Sequence, residues 1–202
     1  MVADFDEATV KALEEIGGMG LQNAADGFSR LLGRTILVEN PCVRLIPLLE
    51  IAKEIGGPED EAIGIYLRAE GDVSAQIMLI IPYAKALELV DMVMGMPPGS
   101  TDHLGSMERS ALGEVGNMSG AFFLNAISDR IGISARPTPP AVMVDMVGAI
   151  IDIIIATTGG VSEQVLLMEA NFQDGDRQVE MDFWVIPDAL SIHALRASRN
   201  DL

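Results

Sequence analysis

Three residues in the string SALGEVGNMSG have side chains suited to placing a water molecule: Ser110, Glu114 and Asn117. Spaced four and then three apart, they fall on one face of a helix, each about a turn from the last. Gly113, Gly116 and Gly120 flank that polar strip. A glycine inside a helix costs about 1 kcal/mol relative to alanine, so several in one helix point to a close backbone approach. One reading is packing, with two long helices crossing on their glycines and Glu114 and Asn117 hydrogen-bonding across the crossing. The other is chemical. An amide can hold a water through its donor and acceptor but is a poor general base, so it suits an electrophile that is already activated. Hydrolysis of an acyl phosphate is such a reaction, because placement does most of the work.

The elements that must carry this strip are written twice. Apolar residues at helical spacing predict a long helix over 6–33 with Gly33 as its cap, and another over 107–131 closed by Gly132. Each is followed by an extended, proline-bearing run, ILVENPCVRLIP (36–47) in the first half and the Pro137, Pro139 and Pro140 run in the second. A short helical stretch is expected at about 48–55. Alternating segments predict hairpins at 62–71 with 75–82, and at QVLLMEANFQ with RQVEMDFWVIP. Helices are expected at 83–95 and in DALSIHALRAS near the end. A fixed offset of 99 residues places Ala12-Leu13 on Ala111-Leu112, Glu15 on Glu114, Gly17 on Gly116, Met19 on Met118, Gly33 on Gly132 and Pro41 on Pro140. The expected fold is therefore α+β: one domain over 1–202 built from two repeats, about 1–98 and 105–202. Pseudo-two-fold symmetry, about six strands in one sheet and two long motif-bearing helices complete the expectation.

Composition narrows the partners. A formal charge of −17 argues against nucleic acid and anionic membrane surfaces, which call for basic patches. Cys42 is the single cysteine, and His103 and His193 lack ligand spacing, so neither a disulfide framework nor a metal site is expected. The N-terminus carries acids where a signal peptide needs a basic segment. The apolar run 141–160 is interrupted by Asp145 and Asp152. A charge at mid-span costs about 2.5–3.5 kcal/mol, so a buried helix or strand is the better assignment and a cytoplasmic location is expected. Trp184 and Phe183 read as sheet core, and Met92, Met94, Met96, Met143 and Met146 as core filler or partner surface.

Ser110, Glu114, Asn117 and Pro140 stand as S-x3-E-x2-N-x22-P. This pattern resembles the signature of the CheC family of chemotaxis phosphatases. The duplicated ALEEIGGMG helix, the VENPCVRLIP strand and the overall length extend the likeness over almost the whole chain. The resemblance implies dephosphorylation of CheY, the chemotaxis response regulator, which brings its own phosphoaspartate and Mg²⁺. By position, Asn117 would orient the attacking water and Glu114 would pair with the regulator's active-site lysine. Ser110 and Pro140 would support them. CheD, a receptor deamidase, is a further partner implied by the family, with the 147–157 segment as a candidate surface. The first copy departs from the pattern: Glu15 is kept, but Gly18 stands at the Asn117 position and Lys11 at that of Ser110. Gln22, one turn on, would have to reach back. One working site is expected, in a monomer. The alternative is a non-catalytic module, either a CheD-binding adaptor or a flagellar-switch scaffold of the FliY and FliM type. The shorter CheX relatives carry one motif and depend on dimerisation, so the duplicated length favours CheC.

Overall fold

The computed structural model describes residues 7–47, 50–54, 57–72, 74–132, 134–158, 164–175 and 177–187. The helix expected in DALSIHALRAS lies outside the described residues. In chain order the elements are α1 (Glu7–Leu32), β1 (Leu37–Pro47), α2 (Ile51–Glu54), β2 (Glu61–Gly71), β3 (Ala75–Pro82) and α3 (Tyr83–Val93). They continue with α4 (Ser106–Ile131), β4 (Ala135–Pro137), β5 (Ala141–Met146), α5 (Val147–Thr158), β6 (Gln164–Asp174) and β7 (Arg177–Pro187). Both expected hairpins form, in the expected places. The α4 helix ends where the glycine signal put it: Gly132 takes a left-handed φ of 71° and its N–H donates to Ser128 O.

All seven strands lie in one antiparallel sheet of order β1-β6-β7-β3-β2, with β4 and β5 sharing the far edge of β2. Among the described residues the sheet has seven strands, against an expectation of about six. The difference is Thr138-Pro139-Pro140: two residues without an N–H interrupt the ladder and divide one edge strand into β4 and β5. The other edge strand, β1, has its irregularity between Glu39 and Cys42, across Pro41. Each edge strand pairs with the hairpin of the opposite half, β1 with β6 and β5 with β2, while β3 and β7 join the hairpins at the centre. Neither half therefore completes a sheet alone.

Period-2 alternation sends side chains to two faces of this sheet. On one face Ile63, Ile65, Leu67, Ile77, Leu79, Met168 and Phe183 pack under α1, α3 and α4. On the other, Met78, Ile80, Leu167 and Trp184 pack under α2 and α5. Neighbours in sequence, Phe183 and Trp184, thus serve opposite cores. The 141–157 run is neither a single helix nor a single strand: β5 turns directly into α5, whose Val147, Ile150, Ile151 and Ile154 are buried. Among the described residues no helix is long and apolar enough to cross a membrane. Of the methionines, Met92 is core, Met94 and Met143 pack against its margins, and Met146 is exposed.

The segment between the halves is held by one buried acid. Asp91, 2% exposed, accepts from the N–H groups of Gly99 (2.7 Å) and Ser100 (3.1 Å). It also accepts from the N–H (3.0 Å) and hydroxyl (2.7 Å) of Thr101. Burial pushes the carboxyl pKa up, but the Thr101 hydroxyl and the three N–H groups outweigh it and hold it below the ordinary value. With the folded pKa depressed, Asp91 contributes stability above its unfolded pKa of about 3.9 and loses it as pH falls through the folded value. Asp91→Asn is expected to lower the unfolding free energy by about 1–3 kcal/mol at neutral pH. Urea titrations should show that gap closing as the buffer is taken into the acid range.

Candidate active site

The candidate strip is set by how α4 lies on the sheet. Leu112, Val115, Phe123, Leu124 and Ile127 are buried along its inner side, which leaves Ser110 and Glu114 exposed and Asn117 half-buried on the outer side. Among the described residues no hydrogen bond or ion pair engages the Ser110, Glu114 or Asn117 side chain. Among the described residues their hydrogen-bonding capacity is unspent. The packing reading, in which Glu114 and Asn117 bond across a helix crossing, does not hold.

The glycines beside the strip have a different neighbour from the one anticipated. A methyl on Gly116 would overlap Ile65 Cγ2 of β2. One on Gly113 would lie 3.6 Å from Pro140 Cγ and from Val142 Cγ2, and one on Gly120 would lie 3.6 Å from Pro137 Cβ. The α4 glycines thus seat the helix on β2 and on the interrupted β4–β5 edge, not on the companion helix. The helix crossing uses the other partner's glycines: Gly27 of α1 receives the Phe122 ring, and a methyl on Gly20 would come within 3.0 Å of Phe123. Spacing alone could not tell which glycines faced which neighbour, since both surfaces demand small residues.

Pro140 lies beside α4 at Gly113, next to Glu114 in the sequence. Two clamps that the sequence did not advertise hold the proline run in place. Thr138 Oγ1 accepts from Arg68 N–H at 3.0 Å, and Thr138 N–H donates to Arg68 O at 2.8 Å. At the start of the run, Asp72 N–H donates to Ser134 O while Asp72 Oδ2 accepts from Ser134 N–H, both at 2.8 Å. A further outward residue was also missed. Met107, 64% exposed, lies three positions before Ser110 and extends the strip by a turn with an apolar surface.

The first copy reads differently. Lys11 and Glu15 are exposed on α1, and Gly18 is half-buried with nothing within 4 Å of where a Cβ would stand. Gln22 Nε2 donates to Asp26 Oδ1 at 3.4 Å, along the helix away from Gly18. Gln22 therefore does not supply the missing amide. Among the described residues no cluster of His, Cys, Asp or Glu is arranged to hold a metal ion.

Residues 107–144, which carry the whole strip and its proline, match the model of the CheC-like family. Over that stretch the chain is similar to the CheC-like family. Over 193 residues it is 29% identical to the CheY-P phosphatase CheC of Bacillus subtilis, covering 94% of this chain and 92% of that one. Among solved structures, FliY of Thermotoga maritima superposes with a TM-score of 0.77 at 19% identity, covering 98% of both chains. The FliM middle domain from H. pylori matches at 0.64 and 10%, over 96% of this chain and 99% of that one. The CheX–CheY–BeF3–Mg complex of Borrelia burgdorferi matches at 0.53 and 16%, over 85% of this chain and 96% of that one. At these identities the structural likenesses establish a shared fold, the mixed helix and antiparallel sheet architecture described above.

The seating of α4 makes a quantitative expectation. Gly116→Ala should cost about 1–3 kcal/mol, as overpacking does in a filled core. Ile65→Leu, which removes the methyl that Gly116 accommodates, should recover part of that loss. A double-mutant cycle by urea denaturation should therefore return a coupling of about 0.5 kcal/mol or more between the two positions. Additive losses would mean that the helix does not bear on Ile65.

Proposed function

We propose that this chain hydrolyses the aspartyl phosphate of a CheY-type chemotaxis response regulator. The reading is supported most directly by the strip itself: Ser110, Glu114 and Asn117 face outward from one rigid helix with no partner among the described residues. Likeness to the B. subtilis CheY-P phosphatase over nearly the whole length adds to it. In this proposal the regulator docks on α4 and brings the phosphoaspartate and Mg²⁺. Glu114 pairs with the regulator's active-site lysine and sets the register of docking. Asn117 holds a water in line with the phosphoryl group through its amide. The water oxygen bonds to phosphorus as the bond to the aspartyl oxygen breaks, giving inorganic phosphate and a free carboxylate. Ser110 lies at the outer end of the strip, and Pro140 steadies the helix beneath Glu114.

The fold supports an origin by duplication into two repeats within one domain. Exchanging β1 with β5, β2 with β6 and β3 with β7 leaves the pairing order of the sheet unchanged. Under the same exchange Gly17, which backs onto Val43 and Met168, corresponds to Gly116 on Ile65. Only the second copy carries the amide, so one hydrolytic site per chain is proposed, in a cytoplasmic monomer. The 147–157 segment on α5, where Ile153 is exposed, is the surface proposed for a CheD-type partner.

A non-catalytic scaffold is the competing reading, favoured by the fold likeness to FliM. Decay of phospho-CheY, followed as release of inorganic phosphate with catalytic amounts of the chain, separates the two. Many equivalents should turn over, and Asn117→Ala should return the decay to the unassisted rate while leaving binding in place. If half the acceleration survived that substitution, the first copy would be hydrolytic as well. Binding without any acceleration would leave the scaffold.

A further inference from the structure

The first turn of α4 carries an apolar side chain where helix physics asks for something else. Met107 is 64% exposed, more than any other large apolar residue among those described. The first turn of a helix carries partial positive charge and favours acids, and this chain has 30 of them. Glu108 takes that role one position on. Met107 belongs to neither core, so the fold draws little from it.

The packing that fixes the polar strip also fixes the direction of Met107. Positions 107, 110, 114 and 117 advance by three, four and three, so they share one face of α4. At 1.5 Å per residue, Met107 stands about 10 Å along the axis from Glu114 and about 15 Å from Asn117. The mount is held on both sides. On the C-terminal side Gly116 is seated on Ile65. On the N-terminal side Leu104 is buried and its carbonyl accepts from Arg109 Nε at 3.2 Å, while Asp91 holds Gly99, Ser100 and Thr101. A flexible thioether on a fixed backbone is suited to a partner's apolar surface.

The charge balance gives such a contact its use. The chain carries −17, and Glu108 and Glu114 lie on either side of Met107 and Ser110 in the same helix. The docked surface brings a phosphoaspartate and Mg²⁺, whose charges largely offset each other. Long-range attraction therefore contributes little beyond the pairing of Glu114 with a lysine. Burial of apolar area needs no such attraction. We propose that Met107 is a specificity-determining docking residue, its thioether seated against apolar surface of the regulator about 10 Å from the regulator's active-site lysine. The proposal rests on the hydrolysis reading above, which supplies the occupant. It adds the feature by which one receiver domain is chosen over another: a receiver with a charged group at that place is rejected. Met107 touches neither the water nor the phosphoryl group, so it acts on binding and not on the chemical step.

The test separates KM from kcat. Release of inorganic phosphate from a phosphorylated CheY-type regulator is followed with the full-length chain at several regulator concentrations. Met107→Ala is expected to raise KM about tenfold with kcat unchanged, the order of effect of truncating a buried anchor. Met107→Leu keeps the apolar volume and should stay within about twofold of the parent. Met107→Glu should raise KM at least as far as alanine does. All three should melt with the parent, because an exposed side chain carries little stability. An unchanged KM in Met107→Ala and Met107→Glu would overturn the docking role and leave the hydrolysis reading. So would a fall in kcat at constant KM, or a lowered melting temperature in place of a change in KM. If the parent accelerates nothing, the hydrolysis reading fails, and titration with regulator loaded with beryllofluoride and Mg²⁺ decides the docking role. Weaker binding by Met107→Glu would then sustain it, and equal binding would end it. No binding by the parent would end both.

Discussion

The seating of α4 on β2, where Gly116 lies flat against Ile65, is the contact on which the rest of the candidate site depends. A helix held that close by its glycines has little freedom to roll, because any rotation drives Val115 or Leu112 out of the core. The outward direction of Ser110, Glu114 and Asn117 is therefore a consequence of how the inner face packs. The same helix also rests on the interrupted edge strand, where Pro140 meets Gly113. The prolines that break the ladder are thereby given a use. They leave a rigid, unpaired stretch that the Thr138–Arg68 and Asp72–Ser134 clamps hold against the sheet.

The two halves interlock by exchanging edge strands, so stability is shared while chemistry need not be. β1 completes the sheet beside β6, and β5 completes it beside β2. Each long helix then lies on strands drawn from both halves. The outer faces of the two long helices can therefore differ without disturbing the core, with Lys11 and Gly18 on α1 and Ser110 and Asn117 on α4. On the inner faces both helices bring a glycine to the sheet, Gly17 against Val43 and Met168 and Gly116 against Ile65.

Much of the architecture was legible from periodicity and punctuation. Gly132 announced the end of α4, and the alternating runs announced both hairpins at nearly their true bounds. The strip of Ser110, Glu114 and Asn117 was legible because helical geometry fixes which residues share a face. The division of one edge strand into β4 and β5 was not legible, since hydrophobic pattern does not register the break made by two prolines in succession. The 141–157 run was undecided for a related reason: it is apolar throughout, and β5 passes into α5 with no turn residue between them. The direction of the α4 glycines was misread too. A small residue records that something comes close, and it carries no information about what that something is.

The sequence by itself determined the helices, the hairpins, the repeated order of elements and the polar strip, because each follows from spacing within a short stretch of chain. Tertiary structure decided the exchange of edge strands and the burial of Phe183 and Trp184 on opposite faces. It also decided that the α4 glycines meet the sheet, and that Gly18 meets none of the described residues. These depend on contacts between residues far apart in the chain, where side-chain volume and the path of the backbone settle together which surfaces touch. The difference between Gly116 and Gly18 shows it most plainly. Both are glycines on the two long helices, one backed by Ile65 and one with nothing within 4 Å among the described residues, and only the packed sheet distinguishes them.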